Sequence, residues 1–89
     1  MLTQQVTIIN KLGLHARAAA LFAKTAARFG STIQVSVNGK MVDAKSVMSL
    51  MLLAASKGST LAIQVEGQDQ EEAMAAMVTL INNRFDEEE

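Results

Sequence analysis

The chain switches between two spacings of apolar residues. In Thr32-Ile33-Gln34-Val35-Ser36-Val37 they fall at every second position, so Ile33, Val35 and Val37 share one face of a strand. Asn38-Gly39 follows at once; the dipeptide tolerates positive φ and joins strands in a two-residue turn, making Lys40-Met41-Val42-Asp43 the return strand. Thr60 to Glu66 alternates again, with Leu61, Ile63 and Val65 inward. Gln5-Val6-Thr7-Ile8-Ile9 alternates only in part, but its β-branched residues mark a further strand.

Three other segments repeat at helical spacing. From Ala16 to Phe29, the residues Ala18, Leu21, Phe22, Ala26 and Phe29 form a stripe opposite Lys24 and Arg28, with Gly30 placed as the stop. A shorter helix runs from a Ser46 N-cap to about Ala55, ended by Lys57-Gly58. Asp69-Gln70-Glu71-Glu72 has the form of a capping box. The helix it starts extends to about Arg84 and buries Ala73, Met74, Met77, Leu80 and Ile81.

The predicted order is β-α-β-β-α-β-α. Three strands carry a polar alternate face, so one side of the sheet meets water while the helices cover the other. The expected fold is α+β: an open-faced two-layer β-sandwich of split βαβ type, with a four-stranded, mainly antiparallel sheet and three helices on one face. Residues 1–89 make one domain without repeats, linkers or proline, and the acidic tail 86–89 is expected to fray.

Composition narrows the function. Eight basic residues against nine acidic ones leave a net charge of −1, which provides no footprint for nucleic acid and no basic helix for a membrane surface. The longest apolar stretch, Val47 to Ala55 with Ser49 inside, is too short to span a bilayer. With no cysteine and one histidine, neither a thiolate metal site nor a disulfide framework can form, and no cofactor motif is present. The first residues, Met1-Leu2-Thr3-Gln4-Gln5, lack a signal-peptide pattern, so a cytoplasmic location is expected.

The single histidine, His15, lies where the first helix begins, two residues ahead of Arg17. Unpaired N–H groups at a helix start stabilise an anion, and an unperturbed imidazole, with a pKa of about 6.5, offers a nucleophilic nitrogen at neutral pH. A phosphoryl group on that ring would meet the first-turn N–H groups of Ala16 to Ala18 and a charge-assisted bond from Arg17. The alternative is an ordinary cap histidine beside a solvated arginine, and the residues alone leave both open.

The helix after Ser46 is apolar nearly all round, with Ser49 its one polar residue between Val47 and Ala55. A single helical layer cannot bury all of it, so Val47, Met48 and Met51 are candidates either for plain core or for an adaptable docking surface. Ser46 serves by default as a cap; phosphorylated, it would add negative charge at the rim of that surface without opposing the helix dipole.

Gly13-Leu14-His15-Ala16-Arg17-Ala18-Ala19, followed at a distance by Lys45-Ser46-Val47-Met48, closely resembles the HPr family of bacterial phosphocarrier proteins, and the resemblance covers essentially the whole chain. It implies that His15 takes a phosphoryl group on Nδ1 from enzyme I and passes it to enzyme IIA components of the sugar phosphotransferase system. It also implies that Arg17 steadies the group, that HPr kinase/phosphorylase modifies Ser46 in some lineages, and that Val47, Met48 and Met51 dock partners. Ala18 stands where the family commonly has proline, and Leu12 where sugar-system members often have a small polar residue. Leu12, Lys11 and the acidic tail look more like the nitrogen-related branch. The readings carried forward are a sugar-system carrier, a regulatory carrier of the nitrogen branch, and a non-catalytic interaction module. A monomer is expected, because one face must serve several partners.

Overall fold

The computed structural model describes residues 1–88. Strands β1 (Leu2–Thr7), β2 (Thr32–Val37), β3 (Lys40–Asp43) and β4 (Thr60–Glu66) alternate with helices α1 (Ala16–Ala26), α2 (Val47–Leu52) and α3 (Gln70–Asn82). All strand pairs are antiparallel and the spatial order is β1-β4-β2-β3, so β4 separates two strands joined through α1, as the split βαβ pattern requires. Val35 pairs with both Ile63 and Val42, which keeps the inward residues of three strands in one row.

The helices cover that row. Ile33, Val35, Leu61, Ile63 and Val65 are buried beneath Ala19, Phe22 and Ala26 of α1 and Ala73, Met77 and Ile81 of α3. With three aromatic residues in the chain, small alanines let α1 approach closely, and aliphatic and methionine side chains fill the rest. Burying each of the larger side chains contributes about 1.5–3 kcal/mol.

The hairpin and β4 have the bounds that their alternation predicts, with Asn38 and Gly39 both at positive φ. The other boundaries differ. The first strand begins at Leu2, because its edge pairing with β4 continues through residues with no apolar pattern. Helix α1 stops at Ala26, before the expected Phe29, and Gly30 is not its left-handed cap. The chain instead tightens through bonds from the N–H groups of Arg28 and Phe29 to Thr25 and Ala26, and Lys45 Nζ donates to the Phe29 carbonyl at 2.9 Å. Helix α2 ends at Leu52, well before Lys57-Gly58, because Ala54 turns left-handed at φ 52.

The capping box at Asp69 does not form. Asp69 is the N-cap, but its carboxylate accepts from the N–H groups of Gly30 and Ser31, both at 2.9 Å, and from the Ser31 hydroxyl. These bonds hold its pKa below the ordinary value: the Ser31 hydroxyl contributes most, then the Gly30 N–H, and together with the Ser31 N–H they outweigh the opposing effect of burial. A nonlocal partner has taken the oxygens that a local cap would have used.

Arg84–Asp86 forms a tight turn, with all three residues at left-handed φ of 56, 53 and 61. Such residues cost on the order of 1 kcal/mol each. Phe85 offsets that cost by inserting into the core against Phe22, with ring centroids 6.2 Å apart. Of the tail expected to fray, 86–89, Asp86 closes this turn and Glu87 follows it; Glu89 lies outside the described residues.

Candidate functional site

Past β1 the chain turns at Asn10 to Gly13. The Gly13 N–H donates to the Asn10 carbonyl at 3.2 Å, and Asn10 Nδ2 donates back to the Gly13 carbonyl at 2.8 Å. Gly13 sits at φ 65 against the loop after α2: a β-carbon there would lie 2.5 Å from the Ala55 carbonyl oxygen. Leu14 N–H then bonds that same oxygen at 2.8 Å. Two segments distant in sequence are thus locked backbone to backbone, and His15 is presented directly beyond the lock.

His15 is the N-cap residue of α1, with extended backbone and no side-chain bond to the helix. Its carbonyl accepts from the Ala19 N–H at 2.8 Å, while the N–H groups of Ala16, Arg17 and Ala18 take no partner among the described residues. Open donors of this kind at a helix N-terminus attract anions. Arg17 is exposed on the first turn and lines one depression together with Lys11, Leu12, His15, Glu87 and Glu88.

The sequence reading missed two residues here. Glu87 reaches back so that one carboxylate oxygen meets His15 Nε2, while the other accepts from Asn10 Nδ2 at 2.9 Å. Asn10 is fully buried and the Glu87 side chain is only 13% exposed. Burial by itself pushes the Glu87 carboxyl up. The bonds from Asn10 and His15, with the charges of His15 and Arg17, outweigh it and hold the group below its ordinary value. An aromatic residue just before the acidic run was the one local hint that this tail docks.

Helix α2 borders the same surface. Ser46 caps it, its Oγ accepting from the Ser49 N–H at 3.3 Å, and is half-buried. Leu50 is fully buried, whereas Val47, Met48, Met51 and Leu52 are exposed, Met48 by 72%. Met51 and His15 line a shared shallow depression with Leu12, Leu14, Ala16, Ala54, Ala55 and Ser56. The structure therefore brings His15, Arg17 and the exposed apolar side of α2 together on one end of the molecule. No cluster that could hold a metal ion occurs among the described residues, and no described helix is long and apolar enough to cross a membrane.

The family model described as the HPr component phosphorylation site of the phosphotransferase system matches residues 2–83. The phosphocarrier protein HPr of Cupriavidus necator is 53% identical over 89 residues, covering all of both chains. Among solved structures, HPr-C-His from Thermoanaerobacter tengcongensis superposes with a TM-score of 0.96 at 47% identity, again covering both chains fully. An HPr from that organism described as a dimer is 49% identical, covers 92% of this chain and 94% of its own, and has a TM-score of 0.78, so the family does not by itself dictate a monomer. Fold, chain length and site geometry agree with these likenesses: the chain belongs to the HPr family of phosphocarriers of the phosphotransferase system.

Proposed function

We propose that His15 is the covalent carrier, taking a phosphoryl group from phosphorylated enzyme I and passing it to enzyme IIA components in sugar uptake and its regulation. The observation that supports this most directly is the place of the ring. It stands at a helix start whose first N–H groups are open, beside an exposed arginine and an exposed apolar surface. The N–H groups of Ala16, Arg17 and Ala18 and the Arg17 guanidinium would stabilise the phosphoryl oxygens. Ala18 in place of proline leaves its N–H available for that purpose.

Val47, Met48 and Met51 serve as the docking surface in this reading. Contact with donor and acceptor must be brief, which suits a small interface at the weak end of the usual range. Phosphorylation of Ser46 by HPr kinase/phosphorylase would place about two negative charges at the edge of that surface. The carrier acts in the cytoplasm, needs no cofactor, and draws every named residue of its site from one chain.

Leu12 favours a second reading. It is 66% exposed beside His15, where a polar residue suits sugar-system partners, and so supports the nitrogen-related regulatory branch. Incubation with labelled phosphoenolpyruvate and either sugar-system or nitrogen-system enzyme I tests both. The expected result is acid-labile label on the parent protein and none on His15→Ala, and the enzyme I that loads faster identifies the branch. Label that persists in His15→Ala, or no label with either donor, would leave the interaction-module reading in place.

A further inference from the structure

The bond between Glu87 and His15 Nε2 does more than tie down the tail. A carboxylate only accepts hydrogen bonds, so the imidazole must donate, and its proton sits on Nε2. The Glu87 orientation is itself set by Asn10. Both hydrogens of the Asn10 amide are committed, one to the Gly13 carbonyl at 2.8 Å and one to the second Glu87 oxygen at 2.9 Å. Turning the amide over would aim its oxygen at two acceptors, so it stays as it is even though its own Oδ1 is buried without a partner among the described residues. Nδ1 takes no hydrogen bond among the described residues and is the nitrogen left with a lone pair.

We propose that Glu87, held by Asn10, is a positioning residue that fixes the Nε2–H tautomer of His15 and so makes Nδ1 the phosphoryl-accepting atom. This rests on the carrier reading above. In the transfer, the Nδ1 lone pair forms the new bond to phosphorus. The donor's bond to phosphorus breaks, and its electron pair leaves with the donor. The Nε2 proton stays on the ring, which becomes positively charged, and the Glu87 carboxylate across Nε2 offsets that charge. A neutral side chain at position 87 would not.

The decisive variant is Glu87→Gln. Asn10 still donates to position 87, so the glutamine carbonyl must face Asn10 and its amide must face His15. An amide N–H directed at Nε2 demands a lone pair there and moves the ring proton to Nδ1. Glu87→Ala removes the constraint without reversing it. Nitrogen-15 spectra of the neutral imidazole read the tautomer, and enzyme I loading reads the consequence. Expected are Nε2–H in the parent, a mixture in Glu87→Ala, and mainly Nδ1–H in Glu87→Gln. A ring about 90% in the wrong tautomer should load about ten-fold more slowly, because only the competent fraction reacts. A Glu87→Gln ring that keeps the parent tautomer, or equal loading of all three proteins, would overturn the proposal. If the parent itself fails to load, the carrier reading falls, and the tautomer spectra still decide what Glu87 does.

Discussion

Gly13 joins the histidine loop to the loop after α2, and replacing it with alanine should damage the protein more than the same change at Gly39 or Gly30. At φ 65, an alanine pays about 1–2 kcal/mol for the left-handed conformation. Its β-carbon would also lie 2.5 Å from the Ala55 carbonyl oxygen and 2.8 Å from Ser56 Cα, both backbone atoms that cannot swing aside. Moving that loop stretches the bond from Leu14 N–H to Ala55, worth about 1 kcal/mol. The sum is about 2–3 kcal/mol, which lowers Tm by roughly 8–24 °C in a domain of this size. Two other glycines separate the contributions. Gly39→Ala, at φ 84 with open space around it, should cost the backbone strain alone. Gly30→Ala, with neither strain nor a neighbour within 4 Å, should be neutral or stabilise by up to about 1 kcal/mol. Calorimetric melts of the three variants check the order. A Gly13→Ala protein that melts with Gly39→Ala would show that the close approach to Ala55 carries no energy, and the reasoning would fail.

Asp69 makes stability depend on acid. Its folded pKa lies below the unfolded value of 3.8, so its contribution is present above that value and is lost as pH falls through the lowered one. Asp69→Asn should be less stable at neutral pH and lose less stability on acidification; parallel melting curves for the two proteins would contradict this. On the exposed face of α2 that we propose docks partners, Met48→Asp should leave Tm nearly unchanged, since the side chain is 72% exposed, but weaken binding to enzyme I on the order of ten-fold. Ser46→Asp should likewise slow transfer from enzyme I without unfolding the domain, because an acidic N-cap still suits α2. Titration of each variant against enzyme I, followed by calorimetry, checks both, and unchanged binding in Met48→Asp would remove α2 from the interface.

What could be read in advance was what local chemistry decides. Alternation with Asn38-Gly39 located the β2–β3 hairpin and β4, because register and turn type are encoded within a few residues. The Ser46 cap was legible for the same reason. Errors arose where a distant group outcompeted a local one. Ser31, 38 positions from Asp69, took the carboxylate that a capping box would have used. Gly30 marked the right region for the end of α1, but the helix unwinds a turn earlier. At the site, His15 and Arg17 could be singled out by their place at a helix start. Asn10 and Glu87 could not, since they are 77 positions apart and meet only after Phe85 seats against Phe22.

That separation bears on how the protein matures. A chain leaving the ribosome exposes the imidazole early, yet the carboxylate that meets it lies 72 positions further on. Until α3 packs and the left-handed turn at Arg84–Asp86 closes, no carboxylate stands across Nε2 of the ring. Partial opening of that turn would have the same effect while the sheet stays intact. If Glu87 sets the tautomer as proposed, the state of one ring nitrogen therefore reports whether the two ends of the chain have closed on each other.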